Sequence, residues 1–166
     1  MIFQNAKQHF MKVLLLVTGK TDFTFVSQGI QLYTERISRY LNFQVKEVTQ
    51  KKGNVADTQV IKRQEASLLL QQIEPTDKVV LLDERGNQYT SPEFASFIQG
   101  QMNSGCKRLV FIIGGAYGFD ESVINRAQYK ISLSKMTFSH QIVRTIFLEQ
   151  LYRAFTIINN EPYHHE

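Results

Sequence analysis

LVFIIGGAYGF, residues 109–119, sets five apolar side chains in a row before three glycines in five positions. An unbroken apolar run bounded by turn residues reads as a buried strand. Side chains at Gly114, Gly115 or Gly118 would clash at positive φ or hold a neighbour away from the main chain. A loop, a packed element or a ligand must therefore come close. From the glycines alone, a tight turn packed on a helix and a ligand cradle are both open readings.

The flanking sequence repeats this strand-then-helix rhythm. KVLLLVTG, residues 12–19, is a first strand, and Val26, Ile30, Tyr33, Ile37 and Leu41 mark an amphipathic helix over 25–41. FQVKEVT, from Phe43, is a second, more mixed strand, expected near an edge. After the loop QKKGNV, with Lys51 and Lys52, a helix is expected over 57–73, ending before Pro75. KVVLLD, residues 78–83, is a continuous apolar strand opening into the polar loop ERGNQYT. Ser91 reads as an N-cap with Pro92 at the first helical position, launching a helix to about Met102. RLVFII leads into the glycines; a short helix over 120–127, the strand YKISLS, the loop KMTFSH and a last helix over 141–157 complete the chain. The expected fold class is α/β: a mostly parallel sheet of four or five strands with helices on both faces.

A length of 166 residues suits one domain, expected over 11–166, with residues 1–10 as an N-terminal extension before Met11. Hydrophobic content is 43% and charged content 20%, and no apolar run approaches a membrane span of about 20 residues. The chain is expected in the cytoplasm, with no membrane partner. Cys106, the single cysteine, has no disulfide partner within the chain. The net charge of +4 makes an acidic partner plausible, nucleic acid first.

In open α/β sheets ligands bind beyond the carboxyl ends of the strands, where LDERGN, GGAYGF and SLSKMTFSH all lie if the strands are parallel. The glycine segment lacks the Gly-Lys-Ser/Thr ending of a P-loop and the spacing of a dinucleotide fingerprint. Close backbone approach without a phosphate grip fits better. Metal chemistry has little support: His140 stands alone, and the adjacent His164 and His165 have only Glu161 and Glu166 nearby. No G-x-S-x-G elbow exists, and Cys106 precedes a strand. Glu149 and Arg153 are spaced as a helical ion pair, and His140 and Arg144 share a face expected to be solvated. In the ending NNEPYHHE, an aromatic and imidazoles could stack on and hydrogen-bond a base.

VVLLDERG, FIIGGAYGF, ISLSKMTFSHQIVRTIFLEQLYRAFTI and EPYHHE, in this order, resemble the RlmH family from Met11 onward. These are SPOUT-class, trefoil-knot methyltransferases acting on N3 of a pseudouridine in large-subunit (23S) ribosomal RNA. The resemblance implies a C-terminal knot and a homodimer. It also implies S-adenosylmethionine held largely by backbone at Leu82, Gly114, Leu133, Ser134, Lys135, Met136, Thr137 and Phe138, and no metal. The implied reaction is displacement at the sulfonium methyl by N3, with S-adenosylhomocysteine leaving. Glu149, Arg153, Tyr163 and His164 are implied on the substrate side, across the dimer interface. Two positions depart from the family pattern: Ser139 stands where a proline is usual, and His165 where an Arg or Lys is common. Two other classes fit parts of the sequence: a non-catalytic RNA-binding or ribosome-associated module, and a nucleotide-binding α/β enzyme.

Overall fold

A computed structural model describes residues 11–50 and 57–164. The extension 1–10, Lys51, Lys52 and His165 lie outside the described residues. Five strands alternate with five helices: β1 (Lys12–Thr18), α1 (Thr24–Ile37), β2 (Phe43–Val48), α2 (Thr58–Leu70), β3 (Lys78–Gln88), α3 (Ser91–Asn103), β4 (Arg108–Ile113), α4 (Glu121–Arg126), β5 (Tyr129–Ser132) and α5 (Ile142–Ile158). They form one sheet in the order β2-β1-β4-β3-β5, and every pairing is parallel.

The pleat divides the apolar strands between two cores. Val13, Leu15 and Val17 of β1, with Leu109, Phe111 and Ile113 of β4, pack beneath α1, α3 and α5 through Ile37, Phe94, Ile98, Phe147 and Leu151. Their neighbours Leu14, Leu16, Val110 and Ile112 face the other way, onto Ala66 and Leu69 of α2 and Val123 of α4. Both faces are covered, which is why β1 and β4 read as unbroken apolar runs. β2, paired only with β1, is the mixed edge strand.

Beside shifts of one to three residues at the ends of α2, α4, β5 and α5, three boundaries differ in kind from the sequence expectation. α1 ends at Ile37, and a turn through Ser38–Tyr40 carries Leu41 into the core. The apolar repeat therefore outlasts the helix. α3 is capped by Thr90, not Ser91, because Thr90 and Glu93 form a capping box: Glu93 N–H donates to Thr90 Oγ1 at 3.3 Å and Thr90 N–H to Glu93 Oε2 at 2.7 Å.

The third difference bears on the site. β3 continues through the expected polar loop to Gln88 and pairs with β5 twice. Leu82 lies opposite Ile131, and after a register shift Asn87 lies opposite that same Ile131. The four residues Asp83–Gly86 bulge out between the two pairings.

Candidate functional site

The carboxyl ends of β3, β4 and β5 border a cleft of about 580 Å³. Its walls are Leu82–Arg85 on the β3 bulge, Ile113–Phe119 after β4, and Leu133, Ser134 and Met136–His140 after β5, with Val143 at the start of α5. The three segments that the sequence places on one rim meet there. Of the expected cofactor residues, Leu82, Gly114, Leu133, Ser134, Met136, Thr137 and Phe138 line the cleft; Lys135 is not on its wall.

Each glycine of GGAYG answers to a different constraint. Gly118 has φ +76°, where a side chain is strained. A Cβ on Gly114 would meet the Phe119 ring at 3.0–3.3 Å, and one on Gly115 would lie 2.7–2.8 Å from the Glu65 carboxylate oxygens. The Phe119 ring thus lies close on the Cβ side of Gly114 and the end of the flexible Glu65 side chain on that of Gly115, while both glycines also line the cleft. Burial pushes the Glu65 carboxyl above its ordinary range. A close approach to backbone lies elsewhere: a Cβ on Gly86 would lie 2.6–2.7 Å from main-chain atoms of Lys130 and Ile131. Sequence reasoning passed over Gly86 as part of a loop, although a glycine directly after a strand and a polar triplet is the signal it leaves.

The β3 bulge carries its own charge pair. Arg85 donates to Asp83 through Nε at 3.0 Å, Nη2 at 2.9 Å and its backbone N–H at 2.9 Å. Those bonds hold the nearly buried Asp83 carboxyl below its ordinary range, against the opposing effect of burial. Next to it, Glu84 Oε2 accepts from Thr137 Oγ1 at 2.5 Å, joining the β3 wall to the loop after β5. Within that loop Met136 N–H donates to Ser134 Oγ at 2.9 Å and Ser132 Oγ–H to the Ser134 carbonyl at 2.8 Å. These bonds shape the loop and leave Met136 exposed.

Where α5 begins, Arg144 overturns the expectation of a solvated face, since it is fully buried. Its guanidinium donates to the His140 carbonyl at 3.0 Å, Thr21 Oγ1 at 2.7 Å and the Thr18 carbonyl at 2.8 Å. Gln141 makes the same connection, accepting from Asp22 N–H and donating to the Lys20 carbonyl. The β1–α1 loop therefore folds over this end of α5, which helical spacing alone does not reveal. Burial lowers the Arg144 pKa, partly offset by Glu47 at 4.0 Å.

The expected substrate-side residues form a second cluster. Arg153 Nη2 donates to Glu149 Oε1, and Tyr163 OH donates to the same oxygen at 3.2 Å. The Arg153 guanidinium lies 4.9 Å from the Tyr163 ring centre, with its Nη1 3.3 Å from His164 Nδ1. Burial, then a hydrogen bond with Tyr33 and the Glu149 charge, pushes the Tyr163 phenol up to about 12. None of the four lines the cleft. With a rise of 1.5 Å per residue, Glu149 and Arg153 stand roughly 9 and 15 Å beyond Val143 along α5. Among the described residues no group of three or more His, Cys, Asp or Glu could hold a metal ion, and no helix is long and apolar enough to cross a membrane.

A family model described as "Predicted SPOUT methyltransferase" matches residues 11–164. The ribosomal RNA large subunit methyltransferase H of Christiangramia forsetii is 50% identical over 156 residues, covering 93% of this chain and 99% of that protein. Its namesake in Parabacteroides distasonis is 48% identical over 158 residues, covering 94% and 100%. The crystal structure of the SpoU methyltransferase AviRb from Streptomyces viridochromogenes superposes loosely, with a TM-score of 0.45 and 13% identity over 93% of this chain and 62% of that one.

Proposed function

The chain belongs to the SPOUT methyltransferase family, and on that premise we propose that it transfers a methyl group from S-adenosylmethionine to N3 of a pseudouridine in large-subunit ribosomal RNA. One observation carries the reading: three separate chain segments converge on a single cleft at the carboxyl rim of a parallel sheet.

The cleft fits a donor of that chemistry. Its volume is in the range of small-molecule sites, and apolar Leu82, Ile113, Ile131, Leu133 and Val143 share its wall with Gly114, Gly115 and Gly118. Arg85, the arginine on this wall, is already held by Asp83. A ligand without phosphates suits such a wall better than a nucleotide phosphate would. Main chain of residues 114–118, 133–134 and 136–138 would hold the donor, within the knotted topology that the family implies. When bound, S-adenosylmethionine supplies a methyl group already activated by its sulfonium. The protein's task is then to exclude water, align the acceptor and let N3 release its proton.

Glu149, Arg153, Tyr163 and His164 would hold the target base. Their separation from the cleft along α5 supports a homodimer in which one protomer's tail serves its partner's cleft. The assembled ribosome, in the cytoplasm, is the substrate this reading favours. Titration calorimetry with S-adenosylmethionine, followed by transfer of its labelled methyl to ribosomes lacking the modification, tests the proposal. Binding followed by label in the large rRNA is expected. No binding at millimolar donor contradicts it, and binding without transfer would point to an RNA-binding module instead.

A further inference from the structure

The C-terminal segment Asn159–His164 is folded back on α5 by a chain of specific contacts. Asn160 has φ +54°, and beyond it Glu161 N–H donates to the Thr156 carbonyl at 2.9 Å while Asn160 N–H donates to the Ile157 carbonyl at 3.1 Å. This is a Schellman termination with asparagine in the left-handed position, and it reverses the chain direction. Pro162 then restricts the next backbone angle. The reversal delivers Glu161 to the turn after α1, where Glu161 Oε2 accepts from Tyr40 OH at 2.7 Å. The Tyr40 ring is itself fixed, stacked on Phe155 with centres 5.4 Å apart. Two residues further on, the Tyr163 ring stands edge-on to Tyr152 at 4.8 Å.

We propose that Tyr40 and Glu161 are positioning residues: their hydrogen bond fixes the tail's first residue, and so sets Tyr163 and His164 against Glu149 and Arg153. Neither side chain bonds a member of the four-residue cluster; Glu161 meets it through its carbonyl, which accepts from Tyr163 N–H at 2.9 Å. A peptide of this length, free at its exposed Glu161, would sample many conformations, and one charge-assisted bond at its root removes most of them. The inference rests on the reading of that cluster as the substrate side.

Two readouts on the full-length protein test it. The first is NMR of the Tyr163 and His164 ring signals, which needs no substrate. In Tyr40→Phe, which keeps the stacked ring, and in Glu161→Ala, the Tyr163 signals should lose the shift imposed by the Tyr152 ring and move toward those of a solvated tyrosine. Glu161→Gln, which retains an acceptor, should keep them near the native position. The second is methyl transfer to ribosomes. Tyr40→Phe and Glu161→Ala should each lower kcat about five-fold, the scale of one hydrogen bond, with S-adenosylmethionine affinity unchanged. The double variant should be no slower than the slower single variant, because both remove the same bond. Unmoved Tyr163 signals in both variants, native kcat in both, or Glu161→Gln no better than Glu161→Ala overturns the inference. A native protein that methylates no RNA would overturn the functional reading instead, while the ring signals still decide whether the anchor exists.

Discussion

A methyl group added at Gly86 would lie within 2.7 Å of the Lys130 and Ile131 main chain, and backbone held in the β3–β5 pairing has little freedom to withdraw. Gly86→Ala should destabilise the protein by about 3 kcal/mol in urea unfolding. Gly100, inside α3 with open space around it, is the matched control: Gly100→Ala should stabilise by about 1 kcal/mol, through helix propensity alone. Glu65 offers a test that depends on pH. Burial raises its folded-state pKa above the unfolded value, so its contribution to stability is fully present below the unfolded pKa and is lost as pH rises through the folded one. Glu65→Gln should therefore gain stability over the native protein as pH rises from 4 to 8, and an equal gap at both ends would contradict this origin. Single residues were only partly legible in the sequence. Gly114 and Gly115 announced a close approach, but that their Cβ side faces Phe119 and Glu65 is set by residues brought in by the fold, one of them about 50 positions away.

α5 joins the two ends of the chemistry. At its first turn the buried Arg144 ties the end of β1 and the β1–α1 loop to His140 on the cleft wall. Arg144→Met would leave the Thr18 and His140 carbonyls without their donor, so a loss of about 3 kcal/mol in stability and weaker donor binding are expected together. Far along the helix, Tyr163 keeps its proton to about 12. Its contribution to stability is present below the unfolded value of 10 and is lost as pH rises through about 12. Burial and Glu161 raise the Tyr40 phenol as well, so alkaline titration of tyrosinate absorbance should show two late phenols, and Tyr163→Phe should remove one of them. The helix itself, the Glu149–Arg153 spacing and the three rim segments followed from sequence periodicity. The burial of Arg144 did not, because a positive charge four residues from a histidine looks the same whether water or a folded-over loop surrounds it. Nor did the second pairing of β3 with β5, since ERGNQ carries no strand pattern of its own.

Across the whole molecule, the parallel sheet and its two covered faces were visible in the unbroken apolar runs of β1, β3 and β4, and the structure adds the order β2-β1-β4-β3-β5. The family was legible from four ordered motifs, and nearly full-length relatives at 48–50% identity bear it out. The distance between cleft and tail cluster was not, for it depends on how far α5 runs before the chain turns at Asn160. In the proposed reading the active form is a pair of chains, each lending its tail to the other's cleft. Mixing a protomer impaired at the cleft by Gly114→Val with one impaired in the tail by His164→Ala should restore about a quarter of native activity, from the random pairs that hold one intact composite site. No recovery would place both groups in one chain. The account as a whole is tested most directly by mass spectrometry of nuclease fragments of large-subunit rRNA from cells with and without this protein. One pseudouridine-containing fragment should be lighter by a single methyl group in the cells that lack it and return to full mass when the gene is restored. Identical fragment masses in both strains would contradict it.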